Sequence, residues 1–144
     1  MKKIIFTFLI FGSFINIASS QQFNFGAGAQ LIFDGSIFGI QGKALYEIDD
    51  TWRGAGGFTL HLKSGVNWTI DADAQYKLLE VSDNFELAPF AGLSITNFAF
   101  DTELGINLGA FIDFVPDDSY HIYIEPKINI GGYESFAVAG GILF

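Results

Sequence analysis

The chain has 144 residues, half of them hydrophobic, with a formal net charge of −9 and no cysteine. That length allows one domain, and the acidic balance excludes nucleic acid, which would repel it. The missing cysteine excludes a disulfide framework, a cysteine metal site and a lipoprotein anchor.

The first twenty residues read MKKIIFTFLIFGSFINIASS. Lys2 and Lys3 form a positive start, Ile4 to Ile17 an apolar run, and Ala18-Ser19-Ser20 a small-residue cleavage site. This pattern predicts a secretory signal peptide over 1–20. A membrane anchor helix fits less well, because the run is short and β-like sequence follows at once. The domain is then 21–144. It keeps five basic residues (Lys43, Arg53, Lys63, Lys77, Lys127) against 16 acidic ones, a balance of −11. Nowhere in it are there the ~20 unbroken apolar residues of a spanning helix.

Its hydrophobicity has a period of two. Eight alternating segments, each bounded by a turn signal, are predicted at 23–33, 36–48, 52–62, 67–78, 85–97, 103–114, 121–131 and 135–144. The first carries Phe23, Phe25, Ala27, Ala29, Leu31 and Phe33 on one parity. Asp34-Gly35 then predicts a type I′ hairpin that sets Leu31 against Phe38 and Phe23 against Tyr46, keeping both apolar rows on one face. The turn at Asp49-Asp50-Thr51 places Glu47 opposite Arg53, and Gly65 supplies a positive φ between the third and fourth segments. The fourth segment, NWTIDADAQYKL, alternates throughout, and a loop over 79–84 would set Lys77 opposite Glu86. Pro89 and Pro126 fall inside strands, where a missing N–H predicts a bulge or a locally opened pair.

Alternation alone does not say which face points inward. Mid-strand charge (Lys43, Glu47, Arg53, Asp71, Asp73, Lys77, Glu86, Glu103, Asp113, Glu125, Lys127) falls on the polar rows, and so does much of the glycine. Aromatics such as Phe23, Tyr46, Trp52, Trp68, Tyr76, Phe114 and Phe136 cluster near strand ends of the apolar rows. Apolar rows facing lipid, charges facing a narrow lumen and aromatic girdles at both rims are what a membrane barrel requires. Lipid leaves no edge satisfied, so the sheet must close. The predicted fold class is all-β: an eight-stranded antiparallel up-and-down transmembrane β-barrel.

The ending ESFAVAGGILF, with Phe136, Val138, Ile142 and the terminal Phe144, resembles the last strand of small Gram-negative outer-membrane β-barrel proteins, a porin-like family. The resemblance covers the whole of 21–144. It implies the cell outer membrane as location and outer-membrane lipid as surroundings. It also implies recognition by the barrel assembly machinery through the strand ending in Phe144. The long loops common in such proteins are not evident here, which weakens any adhesive role.

No catalytic, cofactor-binding or metal site is predicted. His61 and Asp71 share the polar parity of one hairpin but have no serine placed beside them, and His121 begins a strand at the other rim. Asp71 with Asp73 reads as lumen charge near a basic partner, and the Asp-Asp turns at 49–50 and 117–118 as solvated loops. The expected protein is a monomeric, non-enzymatic barrel with a side-chain-filled lumen and a structural or envelope-maintenance role. The alternatives are a lipid- or peptide-modifying barrel enzyme and a soluble secreted barrel that binds an apolar ligand.

Overall fold

The computed structural model describes residues 23–82 and 84–144; the predicted signal peptide lies outside them. Nine antiparallel strands follow one another: β1 (Phe23–Ile32), β2 (Ile37–Glu47), β3 (Trp52–His61), β4 (Val66–Tyr76), β5 (Leu79–Ser82), β6 (Phe85–Phe98), β7 (Thr102–Asp117), β8 (Tyr120–Ile130) and β9 (Ser135–Leu143). Each pairs with its neighbour in sequence, except that the long strand β4 pairs with β6 and β1 pairs with β9. The sheet therefore closes on itself. The four-residue β5 continues β4 along the same partner β6, so the barrel has eight staves. Phe23 and Phe144 lie at one end, called lower here, and the turn at 33–36 lies at the upper end.

The registers predicted for the first two hairpins hold. Leu31 faces Phe38, Phe23 faces Tyr46, and Glu47 faces Arg53. The first turn is of another type, however. Ser36 N–H donates to Phe33 C=O at 3.2 Å, and the positive φ values belong to Gly35 (101°) and Ser36 (52°). Glycine at the third position of such a turn is the type II arrangement, not type I′. Gly65 takes the expected positive φ of 102°.

Stagger can be read from the pairs. Asn24 faces Leu45, and the circuit continues through Ala55, Asp73, Gly92, Asn107, Asn129 and Ser135. The bond from Phe33 N–H to Phe136 C=O (2.9 Å) puts Ser135 beside Asp34, so the circuit regains β1 ten residues above Asn24. Ten residues of ~3.3 Å against eight steps of ~4.8 Å tilt the strands by about 40°, as an eight-stranded barrel needs.

Both prolines open a pair, Pro89 with one extra residue on the facing strand and Pro126 with none. The β4–β6 ladder ends at Gln75–Phe90 and pairing resumes only at Leu79–Leu87, so the break faces Ala88 and Pro89. The β7–β8 ladder stops at Gly109–Lys127 and resumes in the same register at Ile112–Ile124, skipping Ala110 and Pro126. Pro89 also faces Ala110 across β6–β7. Proline has no N–H to give, so the β4–β6 and β7–β8 seams carry one gap each, on either side of the unbroken β6–β7 ladder.

The face assignment is apolar outward. Ile40 is 55% exposed, Leu60 50% and Leu104 62%, while the charged Lys43, Asp71 and Glu125 are at most 5% exposed. Part of the outer wall is bare. Ala44 of β2, Gly54 and Gly56 of β3, and Ala72 and Ala74 of β4 leave a shallow depression of about 480 Å³ rimmed by Phe23 and Tyr46. Aromatic pairs Phe23–Tyr46 and Trp52–Tyr76 mark the lower rim, with ring centroids 4.7 and 5.1 Å apart.

Candidate functional site: the barrel lumen

The only enclosed chemistry among the described residues is inside the barrel, where side chains of alternate positions on every long stave converge. They form four layers. The lowest is ionic. Arg53 Nη1 lies 2.9 Å from Glu86 and 3.3 Å from Glu47, and Lys77 reaches Glu47 at 2.5 Å. The predicted Glu47–Arg53 pair is present. The predicted Lys77–Glu86 pair is not a direct contact: the stretch from Leu79, expected to be a loop, pairs with β6 as far as Ser82–Phe85, so Gln75 faces Phe90 and not Ala88, Lys77 is out of register with Glu86, and it turns to Glu47. Asp113 and His121 meet beside them at 2.9 Å.

Above the ions comes an apolar layer that the alternation pattern did not suggest. Leu45, Ala55, Ala88, Phe90, Phe111, Tyr123 and Leu143 occupy lumen positions and cluster. Phe111 stacks on Tyr123 at 5.4 Å, and the Arg53 guanidinium sits 5.0 Å from the Phe111 ring. Gly109 makes room for this layer, since a Cβ there would lie 2.6 Å from the Phe90 ring. The signal for it was available: aromatics on the polar parity of the sixth, seventh and eighth strands.

The third layer is a polar network. Lys43 pairs with Glu125, and Lys127 donates to Asp71 at 2.6 Å. Asn107 Nδ2 donates to both Asp71 (2.8 Å) and Asp73 (3.1 Å). Gln41 donates to Gln30 and Thr59 and accepts from the Tyr123 hydroxyl at 2.9 Å. His61 does not pair with Asp71; its Nε2 lies 2.9 Å from Thr69 Oγ1, which in turn meets Thr96. Strand register explains this, because Asp71 faces Gly57, two inward positions below His61. His121 is at the opposite end, as predicted.

An apolar plug of Ile32, Ile37, Val66 and Ala137, with Phe98 and Tyr133 against it, closes the top. The cavity left beneath it is about 20 Å³, space for about one water. Among the described residues no group of three or more His, Asp and Glu side chains is placed to hold a metal ion.

The turns outside the wall are ordered by carboxylates. Asp49 Oδ1 accepts from the Thr51 and Trp52 N–H groups, both at 2.7 Å, and these bonds hold its pKa below the usual 3.8. Asp117 is lowered in the same way by the Ser119 hydroxyl and N–H.

A closed eight-stranded barrel with an apolar exterior and a filled polar lumen is the fold of outer-membrane β-barrels, and solved structures of that class align with the chain. The N-terminal β-barrel domain of Pseudomonas aeruginosa OprF aligns with a TM-score of 0.70 at 14% identity, covering 86% of this chain and 97% of that one. Neisserial surface protein A (NspA) aligns at 0.68 with 18% identity over 85% and 96%. A de novo designed transmembrane β-barrel aligns at 0.61 with 13% identity over 88% and 97%. At such identities the likeness is one of fold. No family model and no curated protein matches the chain.

Proposed function

We propose that this chain is an integral outer-membrane β-barrel, exported by its N-terminal signal peptide, that serves the envelope as a structural element and carries out no catalysis. The observation that supports this most is the inversion of the two faces. Large apolar side chains cover the outside while Lys43, Arg53, Asp71, Asp73, Glu125 and Lys127 are buried inside. Only a lipid surrounding makes that arrangement favourable. The solved barrels that align with it support the same placement.

The filled lumen argues for a structural role over transport. Ionic, aromatic, polar and apolar layers succeed one another, and a 20 Å³ cavity is far below the ~300 Å³ of a ligand pocket. That weighs against a soluble barrel with an apolar ligand inside. A barrel enzyme has less support still, since His61 is engaged with Thr69 and Asp71 with Lys127. The last strand, with Phe136, Val138, Ile142 and Phe144 turned outward, is proposed as the segment the barrel assembly machinery reads.

Fractionation of Gram-negative cells that express the chain tests this reading. The expected product is in the outer membrane, migrates differently on a gel with and without boiling, and gives no steady conductance in a planar bilayer. Recovery as a detergent-independent soluble monomer would overturn the proposal.

A further inference from the structure

We propose that the turn between β8 and β9, residues 131–134, is a hinged lid over the upper half of the lumen, latched by the Tyr133 hydroxyl, and that it admits water to the polar layer from the upper end alone. The inference rests on the fold and stands whether or not the structural role above is correct.

The hinge is in the backbone. Gly131 and Gly132 have consecutive positive φ values of 72° and 62°. A Cβ at Gly131 would meet nothing within 4 Å, so the backbone angle, and not packing, requires glycine there. Past the hinge the chain turns over the lumen. Tyr133 is half-buried, and with Ser135 it lines the 20 Å³ cavity whose other walls include Asp71, Asn107 and Lys127. The rest of the plug is fixed differently. Ile32, Ile37, Val66 and Ala137 belong to strands and are held by the ladder.

The turn itself is tied down lightly. The Tyr133 hydroxyl donates to Asp34 C=O at 3.0 Å, and its ring centroid lies 5.4 Å from that of Phe98. The hydrogen bond is exposed, so water competes for both partners and the net contribution is small. Asn129 suits both states. One orientation of its amide donates to the Gly131 and Tyr133 carbonyls at 2.9 and 3.1 Å, the other to Asn107 Oδ1 at 2.8 Å. When the turn lifts, that amide keeps a partner. Opening also brings water to the Thr69 and Thr96 hydroxyls and to the Lys127–Asp71 pair, which offsets part of the lost packing. Water goes no deeper, because Phe111 and Tyr123 fill the layer below. The open state is a blind vestibule and not a channel.

The chain has no cysteine, so single thiol reporters can be read directly. Thr96→Cys puts a thiol on the cavity wall, and Ala55→Cys puts one in the aromatic layer beneath. Each is combined with Tyr133→Phe and with Tyr133→Ala in the full chain, refolded in detergent micelles and checked by heat-modifiable migration. Labelling by a water-soluble methanethiosulfonate is then timed. The thiol at position 96 should react in the folded barrel, and faster than the one at position 55. Tyr133→Phe keeps the ring and deletes the latch, so it should speed labelling at 96 by about two- to tenfold, the weight of one net hydrogen bond. Tyr133→Ala should speed it further, and neither variant should alter labelling at 55. Equal rates at 96 with Tyr133 and with Tyr133→Phe would make the turn a fixed plug and overturn the proposal. No reaction at 96 in the folded chain would do the same. So would acceleration at 55 in step with 96, because the whole barrel would then have loosened. If Tyr133→Ala fails to fold, the Tyr133→Phe comparison decides alone.

Discussion

Lys127 and Asp71 meet in a 2.6 Å ion pair with side chains only 5% and 3% exposed. Each charge depends on the other, since neither has water to fall back on. Replacing Lys127 by Met or Asp71 by Asn alone should cost about 3–5 kcal/mol, and the double replacement less than the two single costs combined. A double-mutant cycle by urea unfolding measures the coupling; a value near zero would falsify the described network.

The lower mouth is wetter, with Lys77 18% and Glu47 30% exposed, so its pairs are screened. Coupling of Lys77 with Glu47 should be about 0.5–1 kcal/mol. Coupling of Lys77 with Glu86 should be smaller, because no direct contact joins them. The same cycle method ranks the two, and a reversed order would restore the register expected from a loop over 79–84.

Ala72 faces outward beside Gly56 of β3 and Leu93 of β6. Arginine there has to hold its charge in hydrocarbon, at a cost of about 2–4 kcal/mol near the bilayer midplane and about 0–1 kcal/mol near an interface. Ala72→Arg should therefore lose far more unfolding free energy in lipid vesicles than Ser64→Arg in an upper turn. Equal losses would show that Ala72 does not face lipid.

Pro126 leaves Ala110 without a ladder partner on the β8 side. Giving position 126 an N–H should close the gap, offset in part by the extra freedom of the unfolded chain. Pro126→Ala is expected to stabilise by about 1 kcal/mol and to slow amide hydrogen exchange of Phe111 and Ile112. Faster exchange there would show that the proline braces the seam.

Acid should loosen the lower turn at Asp49. Its carboxylate is favoured in the folded state by two backbone N–H donors, which depress its pKa. A depressed folded pKa contributes stability above the unfolded value of 3.8, and that contribution is lost as pH falls through the lower, folded value. Asp49→Ala should flatten the stability profile below about pH 4 and leave its neutral-pH shape unchanged. The check is a set of unfolding curves from pH 6 down to pH 2. An identical acid slope in the variant would assign that slope to other carboxylates.

Much of this architecture is legible in the amino-acid order because a strand has a period of two and a barrel has two chemically opposite faces. Leu31 against Phe38 and Glu47 against Arg53 follow from parity and turn length alone. Tyr76 to Leu79 does not. The interruption there lies opposite Pro89, on a strand distant along the chain, and the pairing of Leu79 to Ser82 with β6, where the sequence suggests a loop, moves the register off Lys77–Glu86. The lumen is legible only in part. Lys127 and Asp71 both fall on the inward parity, but their strands are not neighbours, so contact across the lumen depends on stagger that no single hairpin reveals. Phe90, Phe111 and Tyr123 break the alternation, and three exceptions on three separate strands make a cluster only once the barrel is closed.

The stacked layers inside the barrel have a consequence at the scale of the whole membrane. A bilayer can be crowded with water-filled pores only at the expense of its barrier. Here each copy replaces a patch of lipid with a column of side chains that is capped by Ile32, Ile37 and Val66 and blocked again by Phe111 and Tyr123. On the structural role proposed above, copy number and leak are uncoupled, since each further copy adds wall without adding a pore.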